Sequence, residues 1–207
     1  MTLTDVAETF DQKAVEEVVR FHGHQCPGLA IGIQAGRLAL REIGSHSPDE
    51  EVVAVVETDM CAVDGIQYLT GCTFGKGNLI HRNWGKNAYT FFRRSDGRAV
   101  RIAPKARTWM SPEQQALQAR VRAGEGTEAD QARLKELREE WTHHILNAPL
   151  DDLFTVTEVE EEVPHRARLH ASVDCGECGE SVMETRIRKL GGRDLCIPCW
   201  EKAYAAA

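Results

Sequence analysis

Four cysteines near the end of the chain have the spacing of a zinc site. They form two Cys-x-x-Cys pairs, Cys175 with Cys178 and Cys196 with Cys199, and seventeen residues separate the pairs. Two such pairs about 15–20 residues apart are typical of four thiolates around one zinc ion. The spacing predicts a structural zinc site; two disulfides or four reduced thiols are the alternatives. Because a four-thiolate site has no open coordination position, we expect any chemistry elsewhere.

A second group of candidate ligands lies close to the N-terminus. His22, His24 and Cys26 alternate along the sequence just before Pro27. In an extended segment these three side chains would point to one side. Because proline favours the first position of a helix, Cys26 is predicted at the cap of that helix. The helix dipole and the free backbone N–H groups would stabilise a thiolate there.

Two further cysteines extend this second group. Cys61 precedes a predicted short helix, and Cys72 lies in the glycine-rich loop that follows it. Thiolates combined with imidazoles favour a soft or borderline metal such as zinc, nickel or iron. We therefore predict a second metal or reactive-thiol site on His22, His24, Cys26, Cys61 and Cys72. The alternative is that Cys61 and Cys72 are small buried core residues and the histidines cap backbone groups.

Asp64 follows Cys61 by three residues and has two candidate roles. It could orient a ligating histidine, as carboxylates in metal sites often do, or it could cap the short helix. We take Cys26, Cys61 and Asp64 as the candidate catalytic residues. If three or fewer side chains bind the metal, a coordination position stays open for water or a substrate.

The elements that must position these residues alternate between helix and strand. Hydrophobic patterns with glycine and proline signals predict helices over 11–21 and 27–43, a strand over 51–57, a helix over 62–69, a glycine-rich loop over 70–78, and strands over 78–84, 88–94 and 98–102. Gly28, Gly32 and Gly36 leave one face of the second helix bare. A partner must approach that face closely, and a packed helix or strand is favoured over a ligand.

The second half of the chain begins with two helical segments. Ser111-Pro112-Glu113 is a helix start, Gly124 and Gly126 interrupt that helix, and Thr127 caps a second helix that runs to about Asn147. The apolar stripe of the second helix is narrow, which suits a helical hairpin or a dimer arm. A strand over 153–163 follows. Strands over 181–188 and 193–195 and a terminal helix give the cysteine module the order of a treble-clef finger.

These elements predict an α+β fold with two domains. The core, residues 1–165, is a mixed α/β domain that includes the helical arm at about 111–147. Residues 166–207 form a small C-terminal four-cysteine zinc finger of the treble-clef or zinc-ribbon type.

Three motifs of the core resemble the FmdE family, named after the FmdE component of the molybdenum/tungsten formylmethanofuran dehydrogenase of methanogens. They are Phe21-His-Gly-His-Gln-Cys-Pro-Gly-Leu29, Cys61-Ala-Val-Asp-Gly-Ile-Gln67 and Thr70-Gly-Cys-Thr-Phe-Gly-Lys-Gly-Asn78. The resemblance implies an α+β core, a zinc-binding C-terminal module and a homodimer. By motif position it also implies a shared site lined by Cys26, Cys61 and Cys72 with His22 or His24. The chain departs from the family pattern at Gly65, where alanine is expected.

The charge distribution limits the partners. The formal net charge of −7 argues against general affinity for nucleic acids. Residues 81–107 nevertheless carry eight Lys/Arg against one acid, and residues 151–162 carry six acids and no base. The basic stretch could meet a small anionic ligand, a nucleic acid, or the acidic stretch of this chain or of a second copy. We favour pairing within the chain.

The composition favours a soluble cytoplasmic protein. No apolar run is long enough to span a membrane, and the first ten residues do not form a secretory signal. Seven cysteines, four of them in metal-type pairs, fit a reducing compartment.

Three functions remain open at this stage. The leading hypothesis is an FmdE-like metalloprotein, accessory to a molybdenum- or tungsten-linked one-carbon redox enzyme and able to bind its oxidoreductase subunits. The second is a regulator with the core as ligand sensor, because the finger spacing is similar to that of DksA/TraR-type regulators of RNA polymerase. The third is a non-catalytic structural component of a larger enzyme.

Overall fold

The larger of two compact units, which ends at Arg166, is an α+β domain. The computed structural model describes residues 12–44, 49–105 and 110–205 of the chain. The elements of the larger unit are helices α1 (Gln12–His22) and α2 (Pro27–Ile43), strand β1 (Val52–Val56), helix α3 (Ala62–Thr70), strands β2 (Leu79–His81), β3 (Tyr89–Arg93) and β4 (Ala99–Pro104), helices α4 (Pro112–Arg122), α5 (Glu128–Asn147) and α6 (Leu150–Leu153), and strand β5 (Phe154–Glu158). The predicted fold class is confirmed. Residues 1–11 and Arg107, on which the predictions also touched, lie outside the described residues.

The sheet determines where the Cys61 segment of the core lies. Its strand order is β2-β1-β3-β4-β5, with β1 and β2 parallel and the other pairs antiparallel. All five residues of β1 are buried, as expected for a valine-rich inner strand. Because parallel neighbours need a crossover connection, the chain must return across the sheet between β1 and β2. That crossover contains α3 and the preceding Cys61.

Close packing of α2 on α3 explains the bare glycine face. A Cβ added to Gly32 would lie 2.1 Å from the carbonyl oxygen of Ala62, and one added to Gly65 would lie 2.7 Å from the backbone nitrogen of Ile33. No side chain fits at either distance, so the predicted packed partner is helix α3. The same contact explains why this chain has glycine at position 65, where alanine was expected.

Local capping signals set the helix ends. Pro27 is the first residue of α2, and the backbone N–H of Gly44 caps the last turn at Leu40. The Thr127 side chain accepts a hydrogen bond from the N–H of Asp130, whose carboxylate accepts one from the N–H of Thr127, forming a capping box. The predicted boundaries of these helices are confirmed.

Two predicted strands are shorter in the structure, because a strand extends only as far as its partner. Strand β2 pairs with Ala54 to Val56 and ends where β1 ends, so the prediction of 78–84 was too long. Strand β5 ends at Glu158, which pairs with Val100 close to the start of β4. The prediction of a strand to residue 163 was therefore also too long.

Four arginines of the basic stretch pair with acids of the same unit. The ion pairs are Arg82–Glu161 at 3.2 Å, Arg93–Asp96, Arg98–Glu42 at 3.3 Å and Arg101–Glu57 at 2.8 Å. The Arg82 pair reaches the acidic stretch, as favoured from the sequence. Glu57 is almost fully buried, and Arg101 holds its carboxylate with two nitrogens. These pairs reduce the positive charge available to an external partner.

The smaller unit, from Ala167 onward, consists of two hairpins and a helix. Its elements are strands β6 (Ser172–Asp174) and β7 (Ser181–Met183), a 3₁₀ turn (Glu184–Arg186), strands β8 (Arg188–Leu190) and β9 (Arg193–Leu195), and helix α7 (Ile197–Ala205). The 3₁₀ turn interrupts the single strand predicted over 181–188. Gly191 and Gly192 join β8 to β9 with positive φ angles of 57° and 76°, which a two-residue turn of this type requires. Among the described residues, no helix of either unit is long and apolar enough to cross a membrane.

Candidate metal centres

Four side chains of the core converge at the junction of α1, α2 and α3. His22, His24, Cys26 and Cys61 each offer one ligand atom, and these four atoms all lie within 4.8 Å of one another. Ligand atoms around a tetrahedral zinc ion are about 3.3–3.8 Å apart, given bonds of about 2.0–2.3 Å. The four side chains therefore need only small movements to bind one ion.

The chain bends between the two histidines. His22 is the last residue of α1, and Gly23, with a φ of +97°, turns the backbone into the segment that leads to α2. His22 is thus helical rather than extended, yet its ring centroid lies 4.6 Å from that of His24. The turn at Gly23 brings these two imidazoles together. The prediction of one extended segment, with the side chains alternating, was therefore wrong for His22, although the two rings do lie close together.

Asp64 holds the His22 ring in place. The distance between His22 Nδ1 and Asp64 Oδ2 is 2.6 Å. The His22 side chain is only 10% exposed, and its Nε2 atom is buried with no hydrogen-bond partner among the described residues. A carboxylate on one ring nitrogen, with the other nitrogen free, is the usual arrangement of a metal-ligating histidine. The carboxylate of Asp64 is therefore placed to orient the His22 ring.

Two sulfurs form the other side of the cluster. Cys26 is extended at the N-cap of α2, where its Sγ accepts a hydrogen bond from the Leu29 N–H at 3.4 Å, as predicted. Gly28 lies beneath both sulfurs, since a Cβ there would be 3.8 Å from Cys61 Sγ and 3.9 Å from Cys26 Sγ. Burial raises the pKa of the Cys61 thiol, and the neighbouring Cys26 raises it further. Two thiolates so close together require a nearby cation, which a divalent metal would supply.

The cluster is accessible from one side. His24 is exposed, whereas His22, Cys26 and Cys61 are half-buried. A cavity of about 520 Å³ opens beside His24 and Cys26 and extends to helix α5. His24 is therefore the side chain that an incoming ligand could most easily replace.

The structure places Cys72 apart from this cluster. Its side chain is fully buried in the main core, and its thiol donates to the Val52 carbonyl oxygen at 3.4 Å. Burial raises its pKa. Among the five residues predicted for the second site, Cys72 is thus the one that does not join the other four within the described cluster.

The four C-terminal cysteines also converge. Their Sγ atoms lie within 4.8 Å of one another, and Cys178 Sγ is 3.9 Å from Cys196 Sγ, close to the ~3.8 Å edge of a tetrahedral zinc–thiolate site. Backbone N–H groups, that of Cys196 first, hold the pKa of Cys175 down to about 6. Hydrogen bonding to Cys196, together with burial, raises the pKa of Cys199 to about 12. Four thiols this close ionise together only beside a cation, so the donor set fits a structural zinc ion.

Several contributors to the core site escaped the sequence prediction. Gln67 Nε2 approaches the second oxygen of Asp64 at 3.5 Å, and Gly28 makes room for the sulfurs. The arm helix α5 packs against α2, where Gln34 Nε2 donates to the Ile145 carbonyl oxygen at 2.6 Å. The spacing of residues in α5 gives no sign of this placement, because it depends on a contact made more than 100 positions away in sequence.

Comparison with known proteins identifies two family matches. Residues 21–155 match the family described as "FmdE, Molybdenum formylmethanofuran dehydrogenase operon". Residues 171–205 match the prokaryotic dksA/traR C4-type zinc finger.

Two individual proteins are also similar. A protein of Archaeoglobus fulgidus described as a "Probable S-adenosyl-L-methionine-binding protein" is 37% identical over 194 residues, which is 89% of this chain and 52% of that protein. The chain therefore spans about half the length of this relative. The crystal structure of a tungsten formylmethanofuran dehydrogenase FmdE-like protein from Syntrophus aciditrophicus has a TM-score of 0.60 and 24% identity, and the match covers 93% of this chain and 92% of that one. At this identity the likeness shows the fold.

Proposed function

Since this chain belongs to the FmdE family and carries a C4 zinc finger, we propose that its core domain binds a second metal ion. The ligands are His22, Cys26 and Cys61, with His24 as a fourth, replaceable ligand. The ion is zinc, nickel or iron, the metals that suit a mixed thiolate and imidazole set.

One observation carries this proposal: the Nε2 atom of His22 is buried and has no hydrogen-bond partner within the described part of the chain. A buried ring nitrogen without a hydrogen bond is unfavourable, and few such atoms occur in native proteins. In this chain the nitrogen belongs to a histidine that a carboxylate already orients, and its ring neighbours one further imidazole and two sulfurs. A metal ion would satisfy the nitrogen and balance the charge of both thiolates.

The residues around the ion would have distinct roles. Cys26 and Cys61 supply charge, Asp64 positions His22, and exposed His24 leaves the coordination position where a substrate can enter. A metal held in this way would act as a Lewis acid on a bound oxygen or sulfur ligand. Because the other three ligands are half-buried, a substrate would reach the metal from the side on which His24 lies.

For the whole protein we propose a role accessory to a molybdenum- or tungsten-linked one-carbon redox enzyme. The family description and the open side of the core site support this role. Isolation of the tagged full-length chain from its own cells is expected to retain an oxidoreductase that contains molybdenum or tungsten. If the Cys26→Ser variant also retains such an enzyme, association with that enzyme does not require metal binding at the core site.

The metal content of purified full-length chain tests the second site. Elemental analysis is expected to find two metal ions per chain in the wild type and one in Cys26→Ser or Cys61→Ser. Cys72→Ala is the matched control, because Cys72 is a core cysteine outside the cluster, and it should retain two ions. One ion in the wild type, unchanged by Cys26→Ser, would show that the core site does not exist.

Binding of S-adenosyl-L-methionine is a second candidate function. It is favoured by the match to the Archaeoglobus fulgidus protein, which extends over 89% of this chain and so includes the core. Calorimetric titration of the metal-loaded chain with this compound tests it, and absence of binding at millimolar concentration would exclude it.

A further inference from the structure

A cavity joins the core metal cluster to the arm helix. Its volume is about 520 Å³, within the range of small-molecule sites. One wall holds His24, Cys26 and Pro27, and thus the N-terminal end of α2. The facing wall is formed by α5 and includes Lys135, Arg138 and Glu139. These positions, three and four residues apart, lie on one face of the helix.

The charge of the facing wall is positive. Lys135 and Arg138 contribute two positive charges and Glu139 one negative charge, which leaves one net positive charge. Within the described part of α4 and α5, the ion pairs involve Arg120 and Arg133 rather than Lys135 or Arg138. Lys135 and Arg138 thus take no part in those ion pairs, and Glu139 is the acid that shares the cavity wall with them.

The metal cluster does not cancel this charge. A divalent ion would balance the two thiolates of Cys26 and Cys61, and the remaining negative charge, on Asp64, pairs with His22 and does not line the cavity. The N-terminal end of α2 adds the partial positive charge of the helix dipole on the same side of the cavity. An anion inside the cavity would thus meet favourable potential from both walls.

We propose that the ligand of the core site is a small monocarboxylate, held by Lys135 and Arg138 with its remaining atoms facing the metal. This inference rests on the proposed metal site, because His24 and Cys26 belong to both the cluster and the cavity wall. An arginine beside a lysine suits a carboxylate, since the guanidinium binds both oxygens. A single net charge, with Glu139 in the wall, disfavours a doubly charged phosphate.

Isothermal titration of the zinc-loaded full-length chain tests the inference. The probes are monocarboxylates from acetate to benzoate, the neutral amide of each, and inorganic phosphate. We expect at least one carboxylate to bind more tightly than its amide and than phosphate. The double variant Lys135→Gln/Arg138→Gln should weaken that binding by roughly tenfold or more for each cation lost. Arg122→Gln removes a comparable exposed cation outside the cavity and should leave the affinity unchanged.

Metal analysis of the same samples separates this inference from the proposed function. If the double variant keeps two ions per chain but binds the carboxylate as well as the wild type does, the inference is wrong and the metal site stands. The inference also fails if none of the carboxylates binds, or if phosphate binds best. If the wild type holds a single ion, the proposed metal site itself is wrong.

Discussion

At the scale of single residues, the core site is defined by the pairing of His22 with Asp64. Both residues could be identified from the sequence, but two roles stayed open for Asp64, because a carboxylate near a helix start can serve either one. The 2.6 Å contact between Nδ1 and Oδ2 shows that the Asp64 carboxylate pairs with His22, as the orienting role requires. Residue type alone could not decide, since the two residues are 42 positions apart.

Replacement of Asp64 tests this role directly. Asp64→Ala is expected to weaken metal binding at the core site by about 10- to 100-fold, because the His22 ring loses its orienting partner. Asp64→Asn keeps a hydrogen-bond acceptor for His22 and should restore part of the affinity. Competition with a chromophoric chelator measures both variants. Asp151→Ala, an exposed acid that pairs with Arg41, is the control; an equal loss in the control would argue against a local effect.

Gly28 provides a second test at this scale. A Cβ at this position would lie 3.3 Å from the Cys61 Cβ and close to both sulfurs. Gly28→Ala should therefore displace the Cys61 side chain, and its sulfur with it, by a few tenths of an ångström and reduce core metal affinity on the order of tenfold. Gly75→Ala is the matched control, because nothing lies within 4 Å of a Cβ at Gly75. Unchanged affinity in Gly28→Ala would mean that the sulfurs do not bind as described.

At the scale of elements, the contact between α2 and α3 fixes the geometry of the site. The two helices bring Cys26, at the start of one, next to Cys61, at the start of the other. Glycines make this approach possible, and Gly32 is the most restricted of them. The contact between the two helices therefore positions Cys26 and Cys61 as well as forming part of the core.

Gly32→Ala is expected to destabilise the domain strongly. Its Cβ would lie 2.1 Å from a backbone oxygen of α3, which cannot move independently of the helix. We expect a loss of about 3 kcal/mol or more in the free energy of unfolding. Urea denaturation followed by circular dichroism measures the loss, with Gly75→Ala as reference. A change of less than about 1 kcal/mol would contradict the close packing of α2 on α3.

Sequence prediction succeeded where an element is determined locally. The bounds of α2 follow from Pro27 and Gly44, and the capping box at Thr127 marks the start of α5. It failed where a distant partner decides the outcome. Strand β5 ends at Glu158 because its neighbour β4 begins near Val100, whereas Val159 and Val163 extend the apolar pattern of the sequence beyond that point.

The same division applies to the site itself. The motif His22 to Cys26 and the position of Cys61 before a helix were enough to predict the four side chains that cluster in the core. The inclusion of Cys72 followed from its place in a third motif. Its side chain instead turns into the core toward Val52, a direction that depends on the register between the loop and β1.

At the scale of the whole molecule, the seven cysteines divide into three groups. Four lie together in the C-terminal finger, two belong to the core cluster, and one is a buried core residue. The finger unit has a small apolar core around Leu195. A unit of this size depends on its metal for stability, so zinc binding and folding are expected to be coupled.

Loss of the finger zinc should affect one unit and spare the other. Cys199→Ser is expected to leave one metal ion per chain and to unfold the segment from Ala167 onward. Limited proteolysis should then release that segment while the unit ending at Arg166 resists digestion. Simultaneous digestion of both units would show that the core depends on the finger for its own stability.

Anomalous diffraction from crystals of the metal-loaded chain, recorded at the absorption edge of the bound metal, tests the central claim most directly. We predict two peaks per chain. One should lie among the four finger sulfurs, and the other within about 2.0–2.3 Å of His22 Nε2 and the sulfurs of Cys26 and Cys61. A single peak at the finger, from protein that was loaded with excess metal, would contradict the presence of a core metal site.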